Sequence, residues 1–120
     1  MNIEELKRLL KTFRICCPLF ISLGDKYRQK LIFDIIEAGP EGINVSDLAK
    51  KTTLSRPAIS HHLKNLRDNG IIVPHKIGTQ VFYKINLKKK FTVLKDVVNS
   101  TLKILDKIEE EKISEEDELL

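Results

Sequence analysis

The sequence predicts a mainly α (α+β) fold: a single small domain of helices, with one two-stranded β-hairpin and a long helix at each end of the chain. Three observations carry this. The stretch from Thr53 to Gly70 writes a helix with both ends specified, a β-branched hairpin follows it directly, and apolar residues recur at helical spacing near both termini. With 120 residues and 42% hydrophobic content the chain has material for one core. We place the domain at residues 1–110 and expect 111–120, an acidic tail, to be disordered.

Taken in order, Asn2 is an N-cap for a helix to about Arg14, in which Ile3, Leu6, Leu9, Leu10 and Phe13 form a stripe opposed by Glu5, Lys7, Arg8 and Lys11. Pro18 is expected to break the chain between Cys17 and Leu19-Phe20-Ile21. Asp25 can cap a second helix whose core residues are Leu31, Ile32, Ile35 and Ile36 and which ends at Gly39-Pro40. The run Gly39-Pro40-Glu41-Gly42 is a loop. Asn44 or Ser46 then caps a short helix carrying Val45, Leu48 and Ala49, and Thr52 to Leu54 leave room only for a turn.

The next helix is the one the chain is organised around. Ser55 caps it, Pro57 sits in its first turn where a missing N–H costs nothing, and Asn69-Gly70 stops it. Ile59, Leu63 and Leu66 share one face. Arg56, Pro57, Ser60, His61 and Lys64 lie away from or beside that face, and no carboxylate appears before Asp68. Such a cationic, donor-rich start suits a phosphate-lined groove. Behind it, Ile71-Ile72-Val73 and Val81 to Ile85 read as strands around a basic, polar turn, Lys76-Ile77-Gly78-Thr79-Gln80. Helix, tight turn, helix and hairpin together make a winged helix-turn-helix.

From about Leu87 a helical period returns through Phe91, Leu94, Val97, Val98, Leu102, Leu105 and Ile108. That stripe is wider than a small domain needs, which points to a second copy. The expected dimer interface combines Leu6, Leu9, Leu10 and Phe13 with Leu94, Val97, Val98, Leu102, Leu105 and Ile108.

Charge supports a nucleic-acid partner. Residues 109–118 hold seven acids and one lysine, so a total of +4 leaves +10 on the first 108 residues, and Val45 to Lys90 alone carries a net +8. There is no long apolar run for a membrane and no signal peptide, and the two cysteines fit a reducing, cytoplasmic setting. Cys16 and Cys17 are adjacent, so a bond between them is strained; they read as two small apolar residues or, alternatively, as a redox pair acting across a dimer.

Several of these segments together resemble the ArsR/SmtB family of winged-helix regulators. They are Leu23-Gly24 with Arg28, V-S-D-L-A, L-S-R-P-A-I-S-H-H-L-K-N-L, N-G-I-I and G-x-x-x-x-Y, covering roughly residues 20 to 86. The resemblance implies a homodimer that represses transcription from inverted-repeat operators and releases DNA on binding a metal or other inducer. By position it implies base reading by Arg56, Pro57, Ser60 and His61, places His62 at the family's S-x-H-L histidine, and puts Gly78, Thr79, Gln80 and Tyr83 in the wing. Lys64, Lys76 and Thr79 are expected on phosphates. Thr79 stands where the family often has an arginine.

The family's known metal sites are not matched. Its C-V-C-D-L stretch corresponds here to Asn44-Val45-Ser46-Asp47-Leu48, without either thiolate, and none of His61, His62 and His75 lies in the last helix, where a second site draws imidazoles. We therefore expect no metal or other cofactor, and no small-molecule effector is assigned. The sequence offers no activated nucleophile, glycine-rich phosphate loop or H-E-x-x-H, so an enzyme is not expected. The rival reading is a winged helix that holds another protein, which has no need of the cationic helix start and should respond weakly to salt.

Overall fold

The computed structural model describes residues 2–118. Leu119 and Leu120, the end of the expected tail, lie outside the described residues. The elements run α1 (Ile3–Ile15), α2 (Cys17–Leu23), α3 (Lys26–Glu37), β1 (Ile43–Asn44), α4 (Val45–Ala49), α5 (Arg56–Asp68), β2 (Ile72–Ile77), β3 (Gln80–Ile85) and α6 (Lys88–Glu118). They form two compact units, one of residues 17–90 and one joining the chain up to Cys16 with the chain from Phe91 onward.

In the central unit the helix starts follow from their caps. Asp25 accepts from the N–H groups of Tyr27 and Arg28 at 2.8 and 3.0 Å. Asn44 accepts from Asp47 N–H at 2.8 Å and so is the cap of α4. Ser55 accepts from Ala58 N–H at 3.3 Å, with Pro57 in the first turn of α5. At the far end of α5, Gly70 N–H donates to Arg67 O and Ile71 N–H to Leu66 O, both at 2.9 Å, a Schellman closure. The chain then turns directly into the sheet. Leu31, Ile32 and Ile35 of α3 are buried with Leu48, Ile59, Leu63, Leu66, Ile71 and Ile72. Ile36, expected in this core, is 43% exposed, because α3 buries the 31–35 side of its surface and the acid Asp34 within it.

Asp34 is held by Lys30 at 2.7 Å, and the same ammonium donates to Lys51 O at 3.2 Å, tying α3 to the turn before α5. Arg28 has a related duty. Its guanidinium donates to Ser22 O at 2.8 Å and Ile21 O at 3.0 Å, and Gln29 donates to Leu23 O at 2.7 Å, so side chains of α3 satisfy the last carbonyls of α2.

Three expectations are corrected here. Pro18 does not break the chain: it is the second residue of α2, where its missing N–H is unused, and the break comes earlier at Cys16, the C-cap of α1. The hairpin has a third, short strand. The sheet order is β1-β3-β2, with Ile43 opposite Tyr83 and Asn44 opposite Phe82. Gly42 permits this: a Cβ there would stand 2.4 Å from Tyr83 O, and its φ of +77 suits only glycine. The hairpin turn is also tighter than expected, because Lys76 and Gln80 belong to the strands. Only Gly78-Thr79 turn the chain, with Gly78 at φ +62 as a two-residue turn of the II′ kind requires.

In the terminal unit, Asn2 caps α1 as expected, accepting from Glu4 and Glu5 N–H at 3.0 and 3.2 Å. Val97 and Ile104 of α6 are buried, while Val98, Leu102 and Leu105 are each about half exposed. At 100° per residue these sets lie on two faces about 100° apart. Residues 111–118, expected to be disordered, continue α6 as exposed helix. Glutamate has a good helix propensity, which offsets the like-charge repulsion here.

The Asp25 cap carries a pH signature. The Arg28 N–H holds its carboxyl below the ordinary value of 3.8, assisted by the Tyr27 N–H and by the charges of Arg28 and His62 and opposed by desolvation. A carboxylate lowered in this way adds stability above its ordinary pKa and loses it as pH falls through the folded value. Asp25→Asn keeps a capping oxygen but does not titrate. Urea unfolding should show the wild type ahead of the variant at pH 7 and a smaller gap near pH 3; a constant gap would remove Asp25 from the acid response.

Candidate nucleic-acid interface

The candidate interface is built on α5. Its inner residues Ile59, Leu63 and Leu66 are at most 2% exposed, which fixes the helix's rotation and leaves Arg56, Pro57, Ser60, His61 and Lys64 in solvent. The first turn holds no acid, and among the described residues no carboxylate pairs with Arg56. Ser22, fully buried on α2, donates to Asn65 Oδ1 at 3.0 Å and so bonds the middle of α5 to a second helix. Both the rotation and the axial position of the exposed face are therefore set by the core.

His62 leaves this face. Its ring stacks on Tyr27 of α3, with centroids 6.2 Å apart and planes at 28°, and Nδ1 is buried without a hydrogen-bond partner. It packs α5 against α3, whereas its neighbour His61 is exposed. Lys64 pairs with Asp68 at 2.9 Å, one turn along. That bond also keeps the Asp68 carboxyl below the usual carboxylate value, helped by the charges of Lys64 and Arg67 against desolvation.

The strand register assigns the wing residues to faces. Lys76 pairs with Val81 and Pro74 with Tyr83, so these four share one face, while Val73, His75, Ile77, Gln80, Phe82 and Lys84 lie on the other. Tyr83 lines a cleft of about 110 Å³ with Ser60, Leu63, Lys64 and Arg67 of α5, so the face bearing Lys76 is the one turned to the helix. Gly78 and Thr79 are exposed at the tip. Gln80 belongs to the opposite face, and its Oε1 accepts from Asn44 Nδ2 at 3.1 Å. Sequence reasoning missed Arg67. The signal was present, since Ser60, Lys64 and Arg67 follow one another at spacings of four and three on one side of a helix.

Cys16 is buried and Cys17 exposed, both as free thiols. Among the described residues no three His, Cys, Asp or Glu side chains cluster as a metal site would need. Among the described residues no helix is long and apolar enough to cross a membrane.

A family model described as "Bacterial regulatory protein, arsR family" matches residues 36–73, the segment from the end of α3 into β2. The chain is 32% identical over 89 residues to the transcriptional repressor SdpR of Bacillus subtilis, covering 74% of this chain and 91% of that protein. The chain belongs to the ArsR family. A second ArsR-type relative, the arsenical resistance operon repressor of Staphylococcus aureus, is 27% identical over 100 residues, 83% of this chain and 80% of that protein. The fold is shared with an ArsR-like transcriptional regulator from Rhodococcus sp. RHA1, at a TM-score of 0.70 and 24% identity over 88% of this chain and 96% of that one. It is also shared with the transcriptional repressor BigR from Xylella fastidiosa, at 0.60 and 21% over 82% and 95%. The ArsR resemblance of the sequence and its winged helix-turn-helix class thus hold.

Proposed function

We propose that this ArsR-family chain is a cytoplasmic, homodimeric repressor that binds an inverted-repeat operator in duplex DNA, is not an enzyme, and does not use the metal sites known in its family. One observation supports this above the others: α5 buries Ile59, Leu63 and Leu66 and keeps Arg56, Pro57, Ser60, His61 and Lys64, opposite or beside that face, exposed, with no acid in its first turn. Arg56 addresses guanine in bidentate fashion, Ser60 and His61 bond base edges, and Lys64, Lys76 and Thr79 contact phosphate. Gly78 lets the wing tip come close to the duplex. Two protomers joined through α1 and α6 hold their α5 helices one DNA turn apart, roughly 34 Å.

Selection from a random duplex library with the reduced protein tests the reading and should enrich an imperfect palindrome. On the selected duplex, Arg56→Ala is expected to cost about 1 to 3 kcal/mol of binding and to relax preference at one base position. Uniform weakening across sequences would move Arg56 to the phosphates. If no duplex is enriched, and association with another protein persists unchanged in high salt, the protein-binding rival replaces the DNA reading.

A further inference from the structure

We propose that the cleft between α5 and β3 seats one backbone phosphate of the bound duplex, with Arg67 and Tyr83 as ligands beside Lys64. The inference rests on the DNA reading above and adds two contact residues to it. The cleft joins the two elements that flank DNA in this reading, and its volume of about 110 Å³, where roughly 10–15 Å³ admits one water, leaves room for the oxygens of one phosphate. Its lining supplies two cations, Lys64 and Arg67, and two hydroxyl-bearing side chains, Ser60 and Tyr83, over an apolar floor at Leu63. A planar guanidinium matches a phosphate as a fork, and Lys64 adds a point charge. Lys76, on the Tyr83 face of the wing, extends the same cationic line toward the tip.

Asp68 keeps both cations together before DNA arrives. It lies 2.9 Å from Lys64 and 3.8 Å from Arg67, and these side chains are about half exposed or more. Exposed pairs of this kind are weak and screened by salt, so a phosphate competes with Asp68 for them. The carboxylate thus orients the two cations and also opposes the incoming charge.

The test uses the full-length protein on its selected duplex, with binding measured across a salt series. Arg67→Ala should lower the slope of log K against log salt by about one and weaken all sequences alike, whereas Arg67→Lys should keep most of the slope. Tyr83→Phe should weaken binding without changing the slope. Asp68→Asn should strengthen binding to every sequence. Methylphosphonate substitution, one backbone position at a time, should find a position that weakens the wild type and leaves Arg67→Ala unaffected. If the wild type binds and Arg67→Ala keeps its full slope, or shifts base preference instead, this inference fails alone. If the wild type binds no duplex, the DNA reading fails and takes the inference with it.

Discussion

Leu102→Asp combined with Leu105→Asp is expected to leave a folded monomer that binds an inverted repeat about 10²- to 10⁴-fold more weakly than the wild type. The range follows from avidity: once one half-site is held, the second protomer meets its own at a high effective concentration, and separated protomers lose that gain. The two leucines are 49% and 48% exposed, and Val98 beside them on the same face is 48% exposed. A charge at either position therefore disturbs little within the chain, but it is costly inside an apolar interface between copies. Sedimentation would follow the oligomeric state, and anisotropy would compare the full palindrome with a single half-site, where the loss should vanish. A variant that stays dimeric and binds at full strength would place the interface elsewhere. Val97, expected at that interface, is not a useful site for this test, because it is 2% exposed within the chain itself.

The second large effect concerns the support of the reading helix. Ile59→Ala is expected to cost about 2 to 5 kcal/mol, since Ile59 is fully buried and its truncation leaves a cavity in addition to the lost transfer energy. Against a typical domain stability of about 5 to 15 kcal/mol, that is a large share. Urea unfolding should show a lower midpoint with an unchanged slope. DNA affinity measured well below the midpoint should change far less, because Ile59 is buried in the core while Arg56 and Ser60, on the flank of that face, are exposed. A cost under about 1 kcal/mol would mean that the inner face of α5 is loosely packed.

Capped helix starts were the most legible part of the chain, because capping is local chemistry: Asn2, Asp25, Asn44 and Ser55 each announce themselves within four residues of the N–H groups they accept. The strand β1 was not legible, since two residues are too short to show an alternation and exist as a strand only by pairing with β3, about forty positions later. Arg28 was recognisable as part of a motif, but its work on the carbonyls of α2 depends on how two helices meet. His62 falls about 60° from Ile59 around the helix, at the edge of the buried side, so its turn toward Tyr27 was open to a closer angular reading. The cleft at Tyr83 combines a helix face that the sequence does show with a strand register that only the fold supplies.

The two ends of the wing differ in how much change they tolerate. At its base, Gly42 sits against the Tyr83 carbonyl with no room for even a methyl group, whereas a Cβ at Gly78 meets nothing within 4 Å. Room for variation is therefore confined to the tip, and there to the residues around Gly78, whose own φ of +62 still asks for glycine. On the reading proposed above, exchanges at Thr79 and the exposed Ile77 alter how tightly the wing holds the duplex, provided Gly78 is kept, while the anchoring strands keep their register and the core keeps its stability. The wing behaves as a replaceable attachment on a fixed mount, and a tip library displayed on the unchanged remainder is the direct route to tuning how strongly the mount grips its duplex without touching the helix that reads it.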